Sequence, residues 1–426
     1  MPDAPPDAPM PAIIDAPFVY RPDTTRRIAL DVTPAMTQGA GIGRVARELA
    51  RLVSRFDHET HYTYLYAAET AMGDVPAGRM PVLGLPDAPM RLSPEVTEFG
   101  PGRNVTLRRL PLPAPWMTRL WYRAHLPVPV ETFTGDIDVY HAFDYVAPPL
   151  RYARLLVTVH DLSFLTVPQY AEPSLAAYLA AVVPPVVKRA DRVLAVSVFT
   201  ARELVERLGV PEARVVVVPN GVEGRFRPLA PGERAAARAA VAGFVGDADR
   251  PYLLAVGTVQ PRKNYETLLR AFARLRAGGL PHRLVIAGAN GWQFEGVYEV
   301  LRARRLADDV RIAPAPDDLL PALYAAADVV VAPAWYEGFG LSVLEGLASG
   351  TPVIASDIPP HREIGDDAAY YAPPDDPDAF AAAITAALED DDLTRARRRA
   401  IGLARAAQSS WGDAARTLLG IYHEEL

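Results

Sequence analysis

Short apolar runs, each followed by a glycine-rich turn and then by helically spaced apolar residues, recur along most of the chain. Arg27-Ile-Ala-Leu-Asp-Val32 is the first and predicts a strand. After it come Gly39-Ala-Gly-Ile-Gly43 and a helix carrying Val45, Leu49, Leu52, Val53 and Phe56 on one face. Leu155-Leu-Val-Thr-Val159 is a continuous apolar strand of the kind buried in a parallel sheet. A helix near 174–189, a strand over 192–196 and the run Val215-Val-Val-Val218 follow, ending in the turn signal Asn220-Gly221. Residues 223–250 read as a linker that includes a helix. The alternation then restarts, with strands at 252–256, 284–287, 310–312, 328–331 and 353–355. Two successive runs of βα units predict an α/β protein of two Rossmann-like domains with a cleft between them. Trp411, Leu418, Leu419 and Tyr422 predict a final helix.

A length of 426 residues exceeds one ordinary core, in keeping with two domains. With 22% charged residues and a net charge of −7, the chain reads as a soluble protein with no sign of a nucleic-acid partner. Cysteine is absent, which excludes disulfides, thiolate metal sites and a cysteine nucleophile. No apolar run approaches the roughly 18 residues that span a bilayer. Residues 1–25 are rich in Pro and Asp and lack the pattern of a secretory signal. They read as a loosely ordered lead-in, and the expected location is cytoplasmic.

The stretch richest in chemistry is Trp335-Tyr-Glu-Gly-Phe-Gly-Leu-Ser-Val-Leu-Glu-Gly-Leu-Ala-Ser-Gly350. A glycine-broken turn leads there into a helix with Leu341, Leu344, Leu347 and Ala348 at helical spacing. Gly338 and Gly340 would let the backbone approach a ligand, and the helix start offers N–H groups to a phosphate or sugar oxygen. Glu337 precedes the turn and Glu345 lies one turn into the helix, so the two carboxylates could face opposite ends of a ligand. Strand 252–256 opens into Gly257-Thr-Val-Gln-Pro-Arg-Lys-Asn264, where Arg262 and Lys263 suit a phosphate. His160 and Asp161 stand at the end of a buried strand, where open α/β sheets bind ligands. His141 is placed similarly with less support. Gly288-Ala-Asn-Gly-Trp292 is either part of a base pocket or a plain turn. Ser197, Asn220 and Asp136-Ile-Asp138 read as structure. Gly41 and Gly43 fit a dinucleotide fingerprint poorly, because the spacing is G-x-G-x-G. Arg44, which follows them, reads either as a cleft residue or as a solvated helix charge.

With these motifs the chain resembles, over roughly 27–425, the retaining glycosyltransferases of the GT-B fold in the family marked by a Glu-x7-Glu element (family four). The resemblance implies a lead-in over 1–25, an acceptor-side domain over 26–225 and a nucleotide-sugar domain over 226–408, with 409–426 crossing back to the first. It implies that Gly41, Gly43, Gly257, Arg262, Lys263, Gly338, Phe339, Gly340, Leu341 and Glu345 bind the donor, and that Arg262 and Lys263 hold its diphosphate. Glu337 would serve the sugar ring, Glu345 the ribose, and His160 would line the sugar pocket. Glu363 holds the family's acidic place in an altered segment, which leaves its role open. No metal and no cofactor is expected. The segments His160–Ser163, Ser197–Thr200 and Pro261–Asn264 look most like bacterial mannosyltransferases of polysaccharide assembly. GDP-mannose is therefore the first donor candidate, ahead of a UDP-hexose or dTDP-rhamnose, with a glycan or lipid-linked glycan as acceptor. Residues 101–130, with five arginines, no acid, Trp116, Trp121 and Tyr122, suit either peripheral contact with the membrane's inner face or packing into the core. A non-catalytic GT-B binding protein and an NAD-dependent two-domain oxidoreductase are the rival readings.

Overall fold

Two all-parallel sheets organise the chain. The first runs in the order β3-β2-β1-β4-β5-β6-β7 and the second in the order β10-β9-β8-β11-β12-β13, in a computed structural model. The structure describes residues 26–38, 41–67, 104–111, 116–117, 121, 127–247 and 249–424. The lead-in, Gly39, Tyr122 and much of 101–130 lie outside these. The strands of the first sheet are β1 Arg27–Asp31, β2 His61–Tyr66, β3 Val105–Arg109, β4 Val139–Ala142, β5 Arg154–Val159, β6 Arg192–Ala195 and β7 Val215–Val217. Those of the second are β8 Tyr252–Val256, β9 Arg283–Ala287, β10 Val310–Ala313, β11 Val329–Ala332, β12 Val353–Ser356 and β13 Tyr370–Ala372. Central strands such as β4, β11 and β12 are buried along their whole length, because helices cover both faces; β11 reads as an unbroken apolar run, while β4 carries the buried His141.

Each sheet has its strand order reversed at one point, between β1 and β4 in the first and between β8 and β11 in the second. At such a point the loops leaving neighbouring strands diverge and open a crevice at their carboxyl ends. The loops after β8 and β11 carry Arg262, Lys263 and Glu337, while Arg44 starts the helix Ile42–Phe56 that follows β1, and Asp144 and His160 follow β4 and β5.

Several sequence expectations are corrected here. Helix Glu233–Val245 is no mere connector, since Val241 and Val245 enter the core of the second sheet. Phe56, placed on the buried face of helix Ile42–Phe56, ends that helix and is 40% exposed beneath the Arg416 guanidinium. Within 101–130, β3 forms the sheet edge and Trp121 is buried, its Nε1 donating to the Val128 carbonyl at 3.0 Å, whereas Trp116 is exposed. The final helix, Trp411–His423, buries Trp411, Leu418, Leu419 and Tyr422 against β1 and helix Ile42–Phe56, in the core of the first sheet. His141, fully buried in β4, secures that helix: its ring nitrogens lie 2.6 Å from the Tyr422 hydroxyl and 2.8 Å from Thr158 Oγ1. Among the described residues no helix is long and apolar enough to cross a membrane.

Candidate active site

The loop after β8 tightens into a 3-10 turn, Pro261–Lys263, that presents two cations towards the loop after β11. Arg262 Nη1 donates to the Tyr336 carbonyl at 2.8 Å and to Glu337 Oε2 at 2.9 Å, while Lys263 Nζ donates to Glu337 Oε1. The Trp335 N–H returns a bond to the Arg262 carbonyl at 2.9 Å, so the two loops are locked backbone to backbone. Burial opposes ionisation of Glu337, but Lys263 and Arg262 overcome it and hold the carboxyl down at about 2. Arg262 and Lys263 share the Glu337 carboxylate, and Asp161 also acts on Arg262, so this end of the crevice gathers two cations, a pairing that suits a polyanionic ligand.

Glu337 runs into Gly338, and here the fold gives the glycine a reason of its own beside the expected approach of a ligand. A Cβ on Gly338 would lie 1.7 Å from the His160 carbonyl oxygen, so the residue is small because the two domains meet at it. Its own carbonyl accepts from Ser197 Oγ at 2.5 Å and Thr200 Oγ1 at 3.1 Å, both in the first domain. Phe339 turns its ring into the second core. Gly340 takes a left-handed φ of 117° and starts helix Leu341–Ala348; Leu341 packs against the cores of both domains. Gly257 lies against Lys263, with a Cβ position 3.3 Å from Lys263 Cε.

His160 is buried beside Tyr145, and its Nε2 lies 2.7 Å from the Phe143 carbonyl. Burial lowers its pKa, partly offset by Asp144. Gly43 has a packing reason to be glycine: a Cβ there would sit 1.9 Å from the Gln38 carbonyl, against the short helix Thr33–Thr37 that the sequence reading missed. Gly41, with φ of 58°, has open space where a Cβ would be. Arg44 is not a solvated charge. It is buried and bridges to the second domain, donating to Glu345 and Asp317.

Three further contacts clasp the domains. Glu363 accepts from the Val198 and Phe199 N–H groups at 2.8 and 3.1 Å, capping helix Val198–Leu208 from the other domain. Tyr336 donates to Glu203 and accepts from the Leu162 N–H at 3.0 Å. Trp335 stacks on Tyr170, whose carbonyl also accepts from Trp292 Nε1 at 3.0 Å. Sequence reasoning missed Tyr336 because nothing in an aromatic before a glutamate signals a partner in another domain. It also passed over His361, although His361 stands in the same segment as Glu363. That imidazole is fully buried against Gly340, which lowers its pKa to about 4, and its Nε2 has no hydrogen-bond partner among the described residues.

Comparison with known proteins agrees with this architecture. The family described as glycosyl transferases group 1 matches residues 243–405, and that described as Glycosyltransferase Family 4 matches residues 39–224. The O-antigen chain mannosyltransferase B of Escherichia coli is 32% identical over 286 residues, which are 67% of this chain and 74% of that protein. A D-inositol 3-phosphate glycosyltransferase of Nocardia farcinica is 36% identical over 57% of this chain and 54% of its own length, so the match spans about half of that relative. Among solved structures, sucrose-phosphate synthase from Thermosynechococcus elongatus superposes with a TM-score of 0.67 at 20% identity, covering 93% of this chain and 98% of that one. WaaG, a glycosyltransferase involved in lipopolysaccharide biosynthesis, also gives 0.67, at 15% identity over 94% and 100% of the two chains. These two likenesses show the fold, GT-B. The sequence match adds the family, and the oxidoreductase reading falls away: the chain belongs to the group 1 glycosyl transferases of family 4.

Proposed function

We propose that this glycosyltransferase moves a hexose from a nucleoside-diphosphate sugar to a hydroxyl of a glycan or lipid-linked glycan, keeping the anomeric configuration, with GDP-mannose as the first donor candidate. The observation that carries the reading is the meeting of Arg262, Lys263 and Glu337 at the strand-order reversal of the second sheet. In the proposed step the bond from the anomeric carbon to the phosphate oxygen breaks as the acceptor oxygen attacks from the same face. The acceptor proton passes to the departing phosphate. Arg262 and Lys263 would neutralise the charge growing on that diphosphate, without need of a metal. Glu337, held ionised, would hold sugar hydroxyls or offset positive charge on the ring, and His160 would line the sugar pocket. Glu345 would take the ribose hydroxyls. Closure at Gly338 would exclude water, which limits hydrolysis of the donor. Mannose is favoured by the name of the Escherichia coli relative. A phosphorylated polyol as acceptor is the second reading, favoured by the name of the Nocardia farcinica relative.

The test is to incubate the protein with GDP-mannose, UDP-glucose and dTDP-rhamnose in the presence of EDTA and an acceptor panel. Release of one nucleoside diphosphate and an NMR anomeric signal of retained configuration are expected. An inverted product, or turnover only with added metal, would overturn the corresponding part of the proposal.

A further inference from the structure

Arg44 emerges at the start of helix Ile42–Phe56 and is only 7% exposed, yet its bonds go to the other domain. Nη1 donates to Glu345 Oε1, Nη2 donates to Asp317 Oδ1, and Nε lies 3.8 Å from Glu223 Oε1. Asp317 and Glu223 also pair with Arg225. Counting the directly paired groups, three carboxylates (Glu345, Asp317, Glu223) face two guanidiniums (Arg44, Arg225), which leaves one negative charge. At Arg262, Lys263 and Glu337 the same count leaves one positive charge. The Arg44 cluster thus holds one carboxylate more than its cations, an environment suited to neutral hydroxyl donors.

We propose that Arg44 is a positioning residue for the nucleoside end of the donor: it holds Glu345 Oε1 so that Oε2 accepts the ribose hydroxyls. This rests on the nucleotide-sugar reading given above. A carboxylate offers about four acceptor positions, so the Arg44 guanidinium on Oε1 and the Tyr324 hydroxyl beside the group still leave positions for a diol. Burial raises the pKa of Glu345 and Arg44 opposes that rise. Keeping the group ionised matters because a carboxylate accepts a hydroxyl more strongly than a neutral acid does. Since Arg44 comes from the first domain, the ribose contact is completed only when the domains are together.

The test compares GDP with 2′,3′-dideoxy-GDP, and UDP with its dideoxy form, by calorimetry on wild type, Arg44→Gln and Arg44→Lys. Wild type is expected to favour the ribonucleotide by roughly tenfold or more, as for hydrogen bonds to a charged group. In Arg44→Gln that ratio should fall to about twofold or less, with Arg44→Lys in between, and Glu345→Gln should add nothing further. A merely structural role would lower Tm or weaken both nucleotides alike with the ratio intact. That outcome overturns the proposal, as does the absence of any ribose preference in wild type. Arg44→Lys preserves the comparison if the glutamine variant does not fold. If wild type binds neither GDP nor UDP, the nucleotide-sugar reading itself fails and this proposal falls with it.

Discussion

Arg262 Nη1 and Glu337 Oε2 lie 2.9 Å apart, joining the loop after β8 to the loop after β11 across the strand-order reversal of the second sheet. The cations proposed to receive a diphosphate are thus matched in this structure with the carboxylate proposed to serve the sugar. A phosphate that enters must share or displace that carboxylate.

Glu337→Gln should therefore separate binding from turnover. Free nucleoside diphosphate is expected to bind as tightly as in wild type or a few-fold tighter, because Arg262 and Lys263 are released to it. Sugar transfer should fall by about a hundredfold or more, the scale on which single electrostatic stabilisers act. Calorimetry and a coupled assay for released nucleotide check both halves. Weaker nucleotide binding with normal turnover would contradict the assignment.

Gly338→Ala places a methyl group 1.7 Å from the His160 carbonyl, a separation that backbone atoms cannot absorb without the domains parting. Each domain should still fold, because the clash lies between the cores. Transfer is expected to drop by at least about a hundredfold, as it does when reacting groups are misplaced by an ångström. Small-angle scattering should show a larger radius of gyration. Wild-type activity with unchanged scattering would sink the claim that Gly338 is small to let the domains meet.

Glu363→Ala removes the carboxylate that accepts from Val198 and Phe199. Loss of a cap of this kind costs about 1 kcal/mol, and a Tm lower by a few degrees is expected. The free nucleotide should bind as before, because Glu363 is spent on a helix end. A large loss of nucleotide affinity at unchanged Tm would move Glu363 into the donor site.

Acid stability follows from the buried histidines. Burial, and then His160, push the His141 pKa down to about 3, and burial pushes that of His361 to about 4. The unfolded chain protonates imidazole near pH 6.5, so it binds protons that the folded protein refuses. Stability is then fully present above about pH 6.5 and falls below it, by about 1.4 kcal/mol per pH unit for each such group. Tm should be level from pH 7.5 to 6.5 and drop steadily towards pH 5, with a shallower slope in His141→Gln. A flat profile across that range would contradict the neutral, buried state.

Much of this architecture is local and hence legible in the sequence. Strand, glycine turn and helix follow one another around Glu337 and around Arg262, and each signal lies within some twenty residues. What escaped reading is long-range. Arg44 has the spacing of a surface charge, and only the fold brings Glu345 to it. Gly338 is conspicuous in a sequence, but whether a ligand or the His160 carbonyl needs the space is a fact of domain packing.

The most direct test of the account is donor binding to Arg262→Ala. GDP-mannose, with UDP-glucose beside it, is titrated calorimetrically into wild type and variant in EDTA. The account predicts saturable binding of one donor to wild type and a Kd roughly ten- to a hundredfold weaker in the variant, the effect of losing a charge-assisted hydrogen bond. An Arg262→Ala protein that is folded and binds that donor as wild type does would contradict it, and the diphosphate would have to lie elsewhere in the crevice.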